Sequence, residues 1–242
     1  MTSPQGKVLS LRDVEFKWTG NGFRLAIPEL SLEAGESLFL HGPSGCGKST
    51  LLGLVAGTLE AQRGQVCVTG KDLRSLPSWR RDSLRADHIG VIFQQFNLLP
   101  FLTMRENVLL PCRFSTTRRA RAIARHGSLS AAADTLLEAL GLELAVLHAR
   151  RAMQLSVGQQ QRVAVARALI GAPELLIADE PTSALDADAR DRFLELLLTE
   201  CRQACSALLF VSHDLSLATR FDRSDSLPRL SAAHVAGHAC AP

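Results

Sequence analysis

The sequence predicts an α/β fold: a mainly parallel sheet core with an antiparallel β edge and an inserted α-helical subdomain. Three observations carry that prediction. The piece "ESLFLHGPSGCGKSTLLGLVAG" reads as a buried strand, a glycine-rich loop and a helix in immediate succession. The runs at residues 175–178 and 207–211 are wholly apolar, which suits central strands covered on both faces. From residue 98 to 151 the composition shifts to Ala, Leu and Arg at helical spacing.

Taken in order, "VLSLRDVEFKW" alternates partly, as a half-buried strand does, and "ESLFLHG" is a short apolar strand closed by glycine. "KSTLLGLVAGT" places leucines on one helical face and ends in glycine. "QVCVTG" and "IGVIFQ" read as further strands. The helical stretch contains "RRARAIARHG" and "LSAAADTLLEALGL". Beyond it come a helix from Gly158, the strand "ELLIAD", the helix "DARDRFLELLLTECRQA", the strand "ALLFVSH" and the helix "LSLATRF". The chain is expected to be one domain, with residues 1–97 and 152–222 as the β core and 98–151 as the helical subdomain. Residues 223–242 have weak periodicity and are expected to form a peripheral tail.

Bulk properties exclude several classes. At 242 residues, 46% hydrophobic and 21% charged, the chain has enough core to fold without a disulfide or metal staple. A net charge of +3 is too small to argue for nucleic acid. The arginine-rich "FSTTRRARAIARHG" has no interleaved aromatics and reads as a solvated helix face, so no nucleic-acid partner is expected. The six cysteines (Cys46, Cys67, Cys112, Cys201, Cys205, Cys240) include no C-x-x-C pair. Neither a secretory leader nor a run of about 20 apolar residues is present, so a soluble, cytosolic protein with reduced thiols is expected.

Two motifs carry the chemistry. "HGPSGCGKST" fits G-x-x-x-x-G-K-[ST] in the strand–loop–helix setting that the pattern requires. Its residues, Gly42, Pro43, Ser44, Gly45, Cys46, Gly47, Lys48, Ser49 and Thr50, form a candidate phosphate cradle. The glycines let backbone N–H groups point inward, Lys48 can reach the β- and γ-phosphates, and the Ser49 hydroxyl can take a Mg²⁺ position. "LLIADEP" ends a buried strand in two carboxylates: Asp179 is placed to hold Mg²⁺ and Glu180 to polarise an attacking water. A third stretch, "LSVGQ", sets Ser156 and Gly158 at an apparently bare helix start, where N–H groups and the helix dipole favour an anion.

These motifs, with "VIFQQ", "SALD" and "VSHD" in the same order, make the chain resemble the ATP-binding-cassette (ABC) ATPases over nearly all of its length. The resemblance implies a P-loop NTPase of ABC type that hydrolyses ATP with Mg²⁺ and pairs head to tail with a second copy of itself. Ser156, Gly158 and Gln159 would then meet the γ-phosphate of ATP held by the partner. Gln94 is similar to the Gln that contacts Mg²⁺ or the attacking water, and His213 to the switch histidine that orders the catalytic carboxylate. Asp186 closes "SALD", which resembles the loop that crosses to the partner site, and Trp18 lies where the family stacks an aromatic on adenine. The signature departs from the usual pattern in having Val157 where the family has Gly.

The wording "LPSWRRDSLRADHIGVIFQQFNLLPFLTMRENVLLP" resembles the LolD-, MacB- and FtsE-type group. That implies a partner permease with few membrane helices and a large periplasmic domain, met at the cytoplasmic face of the inner or plasma membrane. Residues 96–103 would receive the permease's coupling helix. An FtsE-like regulator of cell-wall machinery is the alternative. A DNA-maintenance ATPase is disfavoured, since no heptads or zinc-type cysteine pairs interrupt the chain.

Overall fold

The structure is a computed structural model that describes residues 6–18, 23–147, 150–183 and 185–230. Two sheets organise it. Strands β1 (Lys7–Lys17), β2 (Arg24–Glu33), β4 (Arg63–Val68) and β5 (Lys71–Asp72) form an antiparallel sheet in the order β2-β1-β4-β5. Strands β3 (Ser37–His41), β6 (Ile89–Ile92), β7 (Leu175–Asp179), β8 (Ala207–Ser212) and β9 (Arg223–Ser226) form a parallel sheet in the order β6-β7-β8-β3-β9.

Alternation explains the first sheet. Val14 opposes Ile27 and Phe16 opposes Leu25, all four buried, while the intervening positions face outward. The parallel strands lack that alternation because both of their faces are covered. Phe39, Leu176, Ala178, Leu208 and Phe210 face a helical layer, whereas Leu38, Leu40, Ile177, Leu209 and Val211 face the antiparallel sheet and the helix α1 (Lys48–Val55). Each such Leu or Val, fully buried, contributes about 1.5–3 kcal/mol.

The helical layer comprises α3 (Met104–Phe114), α4 (Thr116–His126), α5 (Leu129–Ala139), the short α6 (Leu144–Leu147), α7 (Val157–Leu169) and α8 (Ala187–Ala204). Helix α2 (Ser78–His88) lies before β6, and the short α9 (Leu227–Leu230) follows β9. A capping box between Thr103 and Glu106 starts α3. Among the described residues no helix is long and apolar enough to cross a membrane. The described cysteines are free thiols; burial pushes Cys201 up to about 12, which keeps it protonated and inert.

Two expectations change. The chain past Asp222 is not peripheral at first, since β9 pairs with β3 and Leu227 is fully buried. Residues 231–242 of that expected tail, with Cys240, lie outside the described residues. The segment "LSLATRF" forms a 3-10 helix over Leu215–Arg220 in place of an α-helix. Strand β2 and helix α2 had no counterpart in the pattern reading, whereas α3 lies within the stretch expected to be helical.

Candidate functional site

Four of the parallel strands deliver their carboxyl ends to one edge, where ligands of open α/β sheets bind. His41 ends β3 and leads into the cradle, Ile92 precedes Gln94, Asp179 ends β7, and Ser212 precedes His213. A cleft of about 400 Å³ opens there, and Trp18, Phe23, Lys48, Ser49, Asp179 and Glu180 are among its lining residues.

The cradle is tight. Gly45 and Gly47 take φ of 79° and 105°, and a Cβ on Gly47 would lie 2.7 Å from the Phe23 ring. Cys46 N donates to Pro43 O at 3.3 Å, closing the turn through Ser44 and Gly45. Lys48 is buried; its Nζ donates to Gly42 O at 2.8 Å and to Pro43 O at 3.2 Å. The same ammonium lies 3.9 Å from Glu180 Oε1.

Glu180 sits at the centre of the polar groups. Its backbone is left-handed at φ 45°, a strained setting for a non-glycine residue, and its N–H donates to Val211 O at 2.9 Å. Its Oε2 lies 3.2 Å from His213 Nδ1, so one carboxylate bridges the lysine and the histidine. Burial, then the adjacent Glu180 charge, raises the Asp179 carboxyl above its usual range, against the pull of Lys48. Gln94 lines the same cleft, and its Nε2 reaches Ser183 Oγ at 3.5 Å.

Ser49, Gln94 and Asp179 offer a hydroxyl, an amide oxygen and a carboxylate. Those hard donors fit Mg²⁺, which takes few protein ligands and completes its shell with phosphate and water. No cluster of His, Cys, Asp and Glu able to hold a metal unaided occurs among the described residues.

Trp18 lies at the rim, 43% exposed. Its Nε1 donates to Thr50 Oγ1 at 3.2 Å and its ring meets Phe16 edge-on at 5.1 Å. Phe23 was missed by pattern reading although it follows Trp18 closely; Trp18 N donates to Phe23 O at 3.1 Å, which brings the two rings to one cleft. Gln161 was missed too. It is buried on α7, and its Nε2 donates to Pro181 O at 2.6 Å, tying α7 to the loop after Glu180.

Ser156, Gly158 and Gln159 do not line this cleft. The helix start is also not bare, as the sequence suggested. Ser156 Oγ accepts from Gln159 N at 3.3 Å and Ser156 N donates to Gln159 Oε1 at 3.0 Å, a complete capping box. The N–H groups of Val157 and Gly158, in the first turn, have no intrahelical acceptor. Val157 is 52% exposed, and nothing lies within 4 Å of a Cβ built on Gly158. Asp186 caps α8, accepting from Ala189 N at 2.8 Å. Ala184, inside "SALD", lies outside the described residues.

The sequence pattern of the ABC transporter family matches residues 25–183. The chain belongs to that family. As an ABC-type ATPase it binds ATP, and its relatives sharpen the picture. It is 43% identical over 195 residues to the ABC transporter ATP-binding protein YbbA of Escherichia coli, a match covering 81% of this chain and 82% of YbbA. Against the lipoprotein-releasing system ATP-binding protein LolD of Anaeromyxobacter dehalogenans it is 46% identical, over 81% of this chain and 78% of LolD. The ABC cassette MJ0796, solved as a dimer in a post-hydrolysis state with ADP and Pi, superposes with a TM-score of 0.72. That match has 32% identity and covers 90% of this chain and 93% of MJ0796.

Proposed function

We propose that two copies of this ATPase close head to tail around two MgATP and that the cycle drives a membrane permease from its cytoplasmic face. The observation that carries this reading is the division of the phosphate chemistry. Lys48 and Glu180 line one cleft, with His213 against Glu180, while the exposed α7 start offers its hydroxyl and free N–H groups outside it. A second copy turned head to tail supplies those donors to the γ-phosphate, and the dimeric state of MJ0796 supports that arrangement.

In this reading Lys48 leaves its loop carbonyls for the β- and γ-phosphates, and Trp18 with Phe23 receives the adenine. Ser49, Gln94 and Asp179 would hold Mg²⁺, which would offset charge on the phosphates. Glu180 takes a proton from the attacking water, and His213 keeps its second oxygen in place. Ser156 and Gly158 contact the partner's γ-phosphate and release after hydrolysis, so closure follows the nucleotide.

The permease contact falls on residues 96–103, where Leu99 and Phe101 are exposed. The permease in this reading has few membrane helices and a large periplasmic domain and serves lipoprotein release, efflux or transmission of force; similarity to the lipoprotein-releasing LolD supports a transporter partner. The test is Glu180→Gln. The variant is expected to bind MgATP, accumulate as a dimer on size-exclusion chromatography and lose at least about 100-fold in turnover. Near-normal hydrolysis removes Glu180 as the base; a tightly ATP-bound monomer removes the sandwich.

A further inference from the structure

Among the described residues, one side chain of helix α7 hydrogen-bonds to the Gln94 turn. Arg167, in the last turn of α7, donates from Nη1 to Asn97 O and from Nη2 to Phe96 O, both at 2.6 Å. Both partners are backbone carbonyls, and burial pushes the guanidinium below its usual value. The carbonyls it holds belong to two consecutive left-handed residues, Phe96 at φ 58° and Asn97 at φ 49°. Such a pair persists only where surrounding contacts impose it.

The turn they end is the one that carries Gln94. Phe96 N donates to Phe93 O at 3.0 Å, with Gln94 and Gln95 between them, and Asn97 N donates to Gln95 O at 2.6 Å. The other side of the grip is rigid. Arg118, fully buried on α4, donates to Ile170 O at 2.7 Å and Ala168 O at 2.5 Å at the end of α7. Gly90 of β6 lets α7 approach so closely that a Cβ there would lie 2.4 Å from Ala168 O. If the contact gives, the turn moves and the helix stays.

We propose that Arg167 is the positioning residue for Gln94: by clamping the Phe96 and Asn97 carbonyls to α7, it sets where the Gln94 amide stands beside Asp179 and Ser49. The clamp also joins residues 96–103 to the helix that begins at Ser156, so a push on that segment reaches both half-sites. This rests on Gln94 serving Mg²⁺ or the attacking water, as in the proposed function.

The test compares Arg167→Met, Arg167→Lys and Gln94→Ala. In the chain without nucleotide or metal, amide exchange at Phe96 and Asn97 is expected to quicken at least tenfold in Arg167→Met and less in Arg167→Lys. Exchange in β7 and β8 should be unaltered. The Mg²⁺ concentration for half-maximal turnover is expected to rise about fivefold or more in Arg167→Met, with KM for ATP at saturating Mg²⁺ within about twofold, and Arg167→Lys should recover part of the loss. Gln94→Ala should raise it as well, and the double variant should add nothing further, as groups acting in one unit do. Unchanged exchange at Phe96 and Asn97 overturns the clamp. Exchange that quickens throughout the chain, with normal Mg²⁺ dependence, makes Arg167 a stability residue only and also overturns it. If Arg167→Met does not fold, Arg167→Lys carries the same comparisons. Normal Mg²⁺ dependence and turnover in Gln94→Ala sinks the reading of Gln94 itself, while the exchange result still judges the clamp.

Discussion

Ser156 holds two roles that a single substitution separates. Its hydroxyl caps α7, and in the proposed dimer it faces the partner's γ-phosphate. Asp caps helices about as well as Ser, so Ser156→Asp is expected to keep the Gln159 N–H satisfied and to shift stability by a few tenths of a kcal/mol at most. At the dimer contact, however, it sets a carboxylate against phosphate. Two unit charges ~4 Å apart interact by about 4 kcal/mol at an effective dielectric of 20. Solvent at this exposed helix start reduces that to about 2 kcal/mol, or roughly 30-fold per contact. A symmetric dimer contains the contact twice, so ATP-dependent dimerisation should weaken about 1,000-fold. The assay is sedimentation with MgATP in a Glu180→Gln background, beside a urea melt and ATP titration of the monomer. A variant that keeps both its stability and its ATP-dependent dimer refutes the trans placement of α7. One that loses monomer ATP binding puts Ser156 in the wrong half of the site.

Trp18→Ala is expected to weaken ATP binding by about 1–3 kcal/mol in fluorescence titration, with Trp18→Phe recovering most of it; a lower melting temperature with unchanged ATP affinity would make Trp18 a packing partner of Phe16 only. Glu174 gives a pH signature. Burial raises its carboxyl, but hydrogen bonds from His88 and Arg121 prevail and hold it at about 2 against an ordinary 4.5. A depressed carboxyl stabilises the fold above its unfolded value and loses that contribution as pH falls from about 4.5 toward 2. Discounted for its partial exposure, it contributes about 1–2 kcal/mol at neutral pH. Glu174→Gln should show that deficit in urea melts at pH 7 and about half of it at pH ~3.2; a deficit independent of pH would assign it to packing.

That the cradle, Asp179 and Glu180 meet at one cleft was legible because the motifs sit at strand ends, whereas His213 was placed beside Glu180 only by the family resemblance. What stayed illegible depends on partners far along the chain. Strand β9 is "RSDS", which no propensity scale marks as β. It is held because Arg223 donates to Glu36 Oε1 and Ser31 O, each at 2.7 Å, while Asp222 accepts from Ser37 N and Oγ. Helix α2 is polar nearly throughout and buries only Leu84; Arg81 pairs with Glu60 and Arg85 with Asp82. The arginine-rich piece read as a solvated face turned out divided, with Arg118 fully buried and Arg121 paired to Glu174. The capping box at Ser156 and Gln159 is legible in the sequence as S-x-x-Q ahead of a helix.

Helix α7 runs 13 residues, about 20 Å, from the capping box at one end to the Arg167 contacts at the other. Its two ends are therefore in fixed angular phase. Inserting one residue mid-helix would leave every local contact at the amino end intact yet swing Arg167 by about 100° away from the Gln94 turn. A seven-residue insertion would restore the phase to within about 20° but move the ends about 10 Å farther apart. A substitution within α7 disturbs the contact of one side chain, whereas a change in its length displaces both ends against each other at once.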